Sequence, residues 1–252
     1  MTDCSTLISE MNRTALDAGR LIREIYERDF ATERKADGSP VTEADKRAEA
    51  LILERLNAAA PEIPIVSEEN AASHSLSPPD RFFLVDPLDG TKEFVSRNGE
   101  FTVNIALIER GVPALGVVYA PVKGGLYWVD AQGHAVEARE GTQTAIRARP
   151  APASGLVAAV SRSHLDQASQ DYLARYTIAG TISAGSSLKF CLVARGEADV
   201  YPRFGPTNEW DTAAGDAVLR AAGGSMLTPE GEVFRYGKPG YRNGPYVAWG
   251  RR

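Results

Sequence analysis

Two aspartates three positions apart, Asp86 and Asp89, follow the apolar run Phe82-Phe83-Leu84-Val85. Four apolar residues read as a buried strand, and the chain then meets a carboxylate, a proline, a second carboxylate and a glycine. Pro87 lacks a backbone donor and is expected to end a central strand. Gly90 permits a tight turn and a close backbone approach to a ligand. Paired carboxylates suit a hard divalent cation, and free backbone N–H groups suit phosphate. The stretch therefore reads as a metal-dependent phosphate site. A surface turn, with the aspartates bonded to their own backbone, is the plain alternative; the apolar residues before them argue against it. A calcium EF-hand does not fit, because the glycine falls one place early and Arg97 stands where the twelfth-position glutamate belongs. An aspartyl-phosphate mechanism is chemically open, with nothing to single out either aspartate as nucleophile.

Further polar groups are scattered along the chain. Glu68 and Glu69 follow a second short apolar stretch, and neighbouring strand ends would bring one of them to the aspartates. Asp211 and Asp45 each stand at the start of a helical pattern, where a carboxylate also favours the helix dipole. The Thr91 hydroxyl could orient a water or merely finish a turn. His164, Ser186, Lys189 and Arg203 are the remaining candidate ligand groups. Arg203 lies among apolar neighbours in Tyr201-Pro202-Arg203-Phe204, so its charge calls for an anionic partner, either a phosphate or a structural carboxylate.

Leu7, Met11, Ala15, Ala18, Ile22 and Ile25 form one stripe of an amphipathic first helix. Thr42 with Asp45 predicts a capped second helix. Ile63–Val66 and Phe82–Val85 predict strands, and Thr102–Ile108 and Ala114–Ala120 predict a hairpin turning at Glu109-Arg110-Gly111. The first half is thus two helices with a largely antiparallel sheet. The Pro-Ala-rich Arg149-Pro150-Ala151-Pro152 predicts a boundary, giving residues 1–150 as an α+β half and 151–252 as an α/β half. In the second half, helices are expected over Gln167–Tyr176, Ser187–Ala194 and Asp211–Ala222, the last stopped by Gly223-Gly224.

The 252 residues are 43% hydrophobic and 24% charged, an ordinary globular balance. A net charge of −5 gives no overall field for nucleic acid. Cys4 and Cys191 suggest neither a metal pair nor a disulfide framework. No signal peptide or transmembrane run is expected. A cytoplasmic location follows as the expectation, compatible with loose attachment to the inner face of the cell membrane.

Asp86-Pro87-Leu88-Asp89-Gly90-Thr91, together with Trp210-Asp211-Thr212-Ala213-Ala214-Gly215, resembles the paired signature of the inositol monophosphatase superfamily. Ser67-Glu68-Glu69, Asn98-Gly99-Glu100-Phe101-Thr102-Val103-Asn104, Gly185-Ser186-Ser187-Leu188-Lys189 and Tyr201-Pro202-Arg203-Phe204-Gly205-Pro206 resemble, more narrowly, the CysQ-type 3'(2'),5'-bisphosphate nucleotidases. The resemblance implies a layered α-β-α-β-α sandwich. It implies hydrolysis of adenosine 3',5'-bisphosphate (PAP) to AMP and phosphate, with the sulfated relative PAPS as a further substrate, and inhibition by lithium. The cofactor would be magnesium, about two or three ions, clamping the attacking and leaving oxygens of an in-line displacement by activated water. Metal ligands carried over are Glu68, Asp86, the Leu88 carbonyl, Asp89 and Asp211. Thr91, linked to Asp45, would orient the water, with Glu68 the third member of the catalytic set. Gly90 and Thr91 would hold the scissile phosphate through backbone N–H groups. His164, Ser186, Lys189 and Arg203 match nucleotide-binding positions, while Glu68, Leu88, Asp89 and Asp211 reach the substrate from the metal side. An inositol-1-phosphate or broad sugar phosphatase is the alternative on the same fold, and a non-catalytic nucleotide-binding regulator a third reading. The partner is a small molecule, the chain a monomer or homodimer.

Overall fold

The computed structural model describes residues 3–34, 38, 40–162 and 166–252. Helix α1 (Cys4–Tyr26) buries Leu7, Met11, Ala15, Ala18, Ile22 and Ile25, the stripe expected from the sequence. Strands β1 (Thr32–Arg34) and β2 (Pro40–Thr42) form a small antiparallel ribbon leading into α2 (Glu43–Ala59). Thr42 caps α2: its hydroxyl accepts from Ala44 N at 3.1 Å, and Asp45 Oδ2 accepts from Thr42 N at 2.7 Å.

A seven-stranded sheet follows, in the order of the chain. It comprises β3 (Ile65–Ser67), β4 (Arg81–Asp89), β5 (Thr102–Glu109), β6 (Val112–Ala120), β7 (Gly125–Val129), β8 (Ala135–Arg139) and β9 (Thr142–Ala145). Only β3–β4 is parallel. The β5–β6 turn places Arg110 and Gly111 at φ of 50° and 75°, the left-handed pair that a two-residue hairpin requires. The short helix α3 (Thr91–Val95) leaves the end of β4.

Pro87 does not end β4. The strand runs on to Asp89 through an irregularity: Asp86 pairs with Asn104 and Asp89 with Thr102, so three steps on β4 oppose two on β5. Proline is tolerated because it sits in that bulge, where a ladder donor is not needed. The bulge bends the strand end and turns its carboxylates out of the ladder.

The rest of the chain supplies a five-stranded mixed sheet. Its elements are β10 (Leu156–Ser161), α4 (Gln167–Leu173), β11 (Ile178–Ala184), α5 (Leu188–Ala194) and β12 (Val200–Arg203). They are followed by the short β13 (Thr207–Asn208), α6 (Ala213–Ala221), β14 (Ser225–Leu227), β15 (Arg242–Asn243) and β16 (Tyr246–Trp249). The sheet order is β11-β10-β12-β16-β14, and β13 pairs with β15 apart from it. Helices α4 and α6 are shorter than expected; α6 begins at Ala213, so Asp211 lies just before it rather than inside.

Three apolar cores fix the layering. One joins α1 and α2 to one face of the large sheet. A second fills the space between the two sheets around α5 and α6, and a third packs Tyr172 and Leu173 of α4 on the outer face of the small sheet. The result is the α-β-α-β-α sandwich.

The middle layer is thin because glycines permit it. A Cβ on Gly116 of β6 would stand 2.5 Å from Ala217 Cβ and 2.7 Å from Ala214 O of α6. A Cβ on Gly215 would stand 2.5 Å from the Phe190 ring of α5. Helix α6, which Asp211 leads into, is thus gripped on both sides. Gly116→Val is expected to destabilise the protein by about 1–3 kcal/mol through overpacking. Gly180→Ala, on open edge strand β11 with nothing within 4 Å, should stay within about 0.5 kcal/mol. Urea denaturation of the two variants tests this, and equal midpoints would contradict the tight middle layer.

Candidate active site

At the carboxyl end of β4 the chain opens into a cleft of about 320 Å³. Glu68 arrives from the end of β3, Asp86 and Asp89 from the bulged end of β4, and Asp211 from the turn before α6. One carboxylate oxygen from each of Glu68, Asp86 and Asp211 lies within 4.8 Å of the others. Leu88, Asp89, Gly90, Thr91, Ser186, Lys189 and Arg203 line the same cleft. Segments more than 140 residues apart in the chain, those of Glu68 and Asp211, therefore meet at one point. His164 lies outside the described residues.

Local bonds hold each acid in place. Leu88 N donates to Asp86 Oδ1 at 3.1 Å, and Asn208 N to Asp211 Oδ2 at 2.8 Å. Asp89 Oδ2 accepts from Ser187 N at 2.7 Å, Asn104 Nδ2 at 3.2 Å and Thr102 Oγ1 at 3.4 Å. Asp45 does not line the cleft but stands behind it. Its Oδ2 takes the Thr42 N–H and hydroxyl, both at 2.7 Å, while Oδ1 accepts from Thr91 Oγ1 at 3.1 Å. One carboxylate therefore both caps α2 and orients Thr91.

Gathering acids in a buried place has an electrostatic cost. Burial first, then the charges of Glu68, Asp89 and Asp211, push Asp86 well above the usual carboxylate range. Asp211 is raised in the same way, by burial and then by Asp89 and Glu68. Asp89 is raised to about 6, burial outweighing Lys189 and its hydrogen bonds. Such groups ionise readily only beside a cation. The donors are all hard oxygens, so magnesium suits the set and a soft thiolate-preferring metal does not.

Two cationic side chains line the same cleft. Lys189 is 3% exposed; burial lowers it to about 8 against the raising influence of Asp89. Its Nζ donates to Ser186 O at 2.6 Å and lies 5.2 Å from the centre of the Tyr201 ring. Arg203, also buried, donates through Nη2 to Pro206 O at 3.3 Å. The cations stand among the acids rather than apart from them: the Lys189 charge is felt at Asp89 and that of Arg203 at Asp211.

Several residues of the site carry no signal in the sequence. Asn104 and Ser187 are buried and join the two aspartate motifs: Asn104 Nδ2 reaches Ser187 Oγ at 3.0 Å, and Ser187 Oγ donates to Asp211 O at 2.8 Å. Both lie inside the family-like segments, but their roles depend on strand and helix being side by side. Tyr201, Tyr246, Thr207 and Asn208 also line the cleft. Tyr201 was legible as apolar company for Arg203; the others come from turns and strands with no distinguishing pattern.

Comparison with known proteins agrees with this geometry. The model of the inositol monophosphatase family matches residues 3–250. The 3'(2'),5'-bisphosphate nucleotidase CysQ of Salmonella typhimurium is 47% identical over 233 residues, covering 91% of this chain and 94% of that protein. The protein of the same name from Buchnera aphidicola is 42% identical, over 91% of this chain and 87% of its own. The crystal structure of CysQ from Bacteroides thetaiotaomicron superimposes with a TM-score of 0.81 at 39% identity, covering 97% of each chain. An inositol monophosphatase from Anabaena gives 0.76 at 25% identity, over 100% of this chain and 92% of that one. With its two aspartate motifs brought together in one cleft of the shared fold, this chain belongs to the inositol monophosphatase family.

Proposed function

We propose that the cleft is the active site of a 3'(2'),5'-bisphosphate nucleotidase, which hydrolyses the 3'-phosphate of adenosine 3',5'-bisphosphate to leave AMP. The observation that carries the reading is the pairing of a partly buried carboxylate cluster with a buried lysine and arginine in one cleft. A monophosphatase needs only the first; a substrate with a second, uncleaved phosphate needs both. The family likeness to CysQ proteins supports the same substrate class. PAPS, which keeps a 3'-phosphate, falls within that class.

The family is metal-dependent, and the acids here fit magnesium. Glu68, Asp86, the Leu88 carbonyl, Asp89 and Asp211 would hold about two or three ions, a number typical of assisted phosphoryl transfer. Bound magnesium supplies charge neutralisation on the phosphate and makes a water more acidic. The protein groups do the positioning. The Thr91 hydroxyl donates to Asp45, so its oxygen lone pairs face away from that bond and can accept from the attacking water. As the water adds to phosphorus and the P–O3' bond breaks, the water's proton passes to Thr91 Oγ1 and that of Thr91 to Asp45, while the leaving 3'-oxygen takes up a proton from solvent water. Burial raises Asp45 from its ordinary value, against its bonds to Thr42 and Thr91, which suits it better to take a proton. Asp89 has one oxygen occupied by three donors, a posture that suits a ligand better than a nucleophile, so no phosphoenzyme is invoked. The Gly90 and Thr91 N–H groups would hold the scissile phosphate, and Ser186, Lys189, Arg203 and His164 the rest of the nucleotide. In this division of labour residues 1–150 carry most metal ligands and 151–252 carry Asp211 and the nucleotide contacts. No described helix is long and apolar enough to cross a membrane.

Phosphate release from adenosine 3',5'-bisphosphate, compared with inositol-1-phosphate at matched magnesium, tests the assignment directly. Arg203→Ala should raise KM for the bisphosphate by about one to two orders of magnitude, the worth of a charge-assisted hydrogen bond. It should leave inositol-1-phosphate, where that is turned over, nearly unchanged. Equal losses on both would refute a role in binding the second phosphate.

Thr91→Ala should lower kcat on the bisphosphate by about 10²-fold with little change in KM, since general acid–base contacts act in the transition state. An effect confined to KM would show that Thr91 only places the substrate.

A third test needs no turnover. Magnesium should raise the thermal midpoint of the wild-type protein, because it binds only the folded acid cluster. Asp86→Asn keeps an acceptor for Leu88 N but removes a charge. In EDTA it should be no less stable than wild type, and magnesium should shift it far less. A full magnesium shift in Asp86→Asn would remove Asp86 from the ligand set.

A further inference from the structure

Glu100 and Arg162 take no part in lining the cleft, yet they grip the segment that leads to its lysine. Arg162, just past β10, clasps the Glu100 carboxylate with both arms of its guanidinium: Nε to Oε2 at 2.7 Å and Nη2 to Oε1 at 2.9 Å. Glu100 Oε2 also accepts from Gly185 N at 2.9 Å, and Arg162 Nη2 also donates to Ser183 O at 2.9 Å. The Glu100 backbone carbonyl accepts from Ser186 Oγ at 2.7 Å. The segment Ser183–Ser186 is therefore held at three points, by two residues that are 62 apart in the chain and clasp each other.

The grip has something to resist. Ser186 sits at φ 41°, a left-handed conformation that a serine takes up rarely and at a cost of order 1 kcal/mol or more. Gly185 comes so close to Glu100 that a Cβ there would stand 2.6 Å from the Glu100 carbonyl oxygen. In this forced turn the Ser186 carbonyl points at Lys189 and accepts its Nζ at 2.6 Å. The position of the lysine charge follows from the shape of the turn, and the turn follows from the clamp. Glu100 is little exposed, at 12%, against 44% for Arg162. A bidentate fork on a mostly shielded carboxylate is the strong form of such a pair.

We propose that Glu100 and Arg162 are positioning residues for the uncleaved phosphate: they fix the Ser186 turn and, through it, the Lys189 ammonium. The inference rests on the reading of Lys189 and Arg203 as the second-phosphate subsite. It adds a specificity determinant that touches neither the metal ligands nor the nucleotide.

The test compares adenosine 3',5'-bisphosphate with adenosine 3'-monophosphate, which has the same scissile group and lacks the 5'-phosphate. Arg162→Gln should raise KM for the bisphosphate by roughly five- to tenfold, with kcat within about twofold, and leave the monophosphate unchanged; a factor of this size corresponds to one weakened hydrogen-bond contact. Arg162→Lys, which keeps the charge but not the fork, should recover part of the loss. Glu100→Gln retains an acceptor for Gly185 and gives the same selective effect should Arg162→Gln fold poorly. AMP binding by calorimetry in EDTA, a readout without turnover, should weaken by the same factor. Equal losses on both substrates, or an unchanged bisphosphate KM, would overturn the proposal. Arg203→Ala measured alongside separates the two failures. If Arg203→Ala discriminates and the clamp variants do not, the clamp is wrong and the subsite stands. If Arg203→Ala does not discriminate, the subsite is wrong and the clamp proposal goes with it.

Discussion

The organising constraint of this molecule is the repulsion among carboxylates that the fold forces together. Burial and mutual charge raise Asp86, Asp89 and Asp211 above their ordinary range, so the fold by itself disfavours their ionised forms. A chain that holds them there must do so with groups that cannot relax. Each acid is accordingly tied to backbone N–H groups near a strand end or helix start, where the geometry is set by hydrogen-bond ladders rather than side-chain torsions. The bulge at Pro87, the glycine contacts around α6 and the Asn104–Ser187 bridge all contribute to that rigidity. Sites that store such cost are the ones that gain from a ligand able to relieve it.

Much of this was legible in the sequence. The stripe on α1, the Thr42–Asp45 cap, the Arg110-Gly111 turn and the two aspartate motifs are local signals, written in spacing and residue type. Neighbouring strand ends could bring Glu68 or Glu69 to the aspartates, but choosing Glu68, and joining Asp211 to Asp86, came only through the family resemblance. Pro87 shows where a local rule misleads: proline bars a regular ladder, but the irregular register between Asp86 and Asp89 has a place for it. Asp211 as a helix residue was off by two positions for a related reason. Its carboxylate is taken by Asn208 N, which keeps it in the loop ahead of α6.

What stayed hidden is what depends on two distant segments at once. Nothing about Asn104 in an apolar strand, or Ser187 before a helix, announces that one will bond the other across 83 positions. The glycines are similar. Gly116 and Gly215 look like weak points in a strand and a helix, and their purpose is visible only when α6 is seen between β6 and α5. Polar residues in apolar runs and glycines inside regular elements are thus the places where sequence reasoning should expect long-range causes.

The shared middle layer has a consequence for how such a chain can be cut or recombined. One apolar core draws on Phe82, Leu84 and Val118 from the large sheet and on Ala159, Tyr201 and Ala248 from the small one, with α5 and α6 between. A fragment ending near Pro150 would keep its large sheet but leave that face bare, while the complementary fragment would carry both covering helices and lack the surface they cover. The two pieces are interlocking parts rather than interchangeable cassettes. Chimeras between relatives would succeed where the crossover keeps β6 and α6 from one parent, because the fit of Gly116 against Ala214 and Ala217 is a property of the pair.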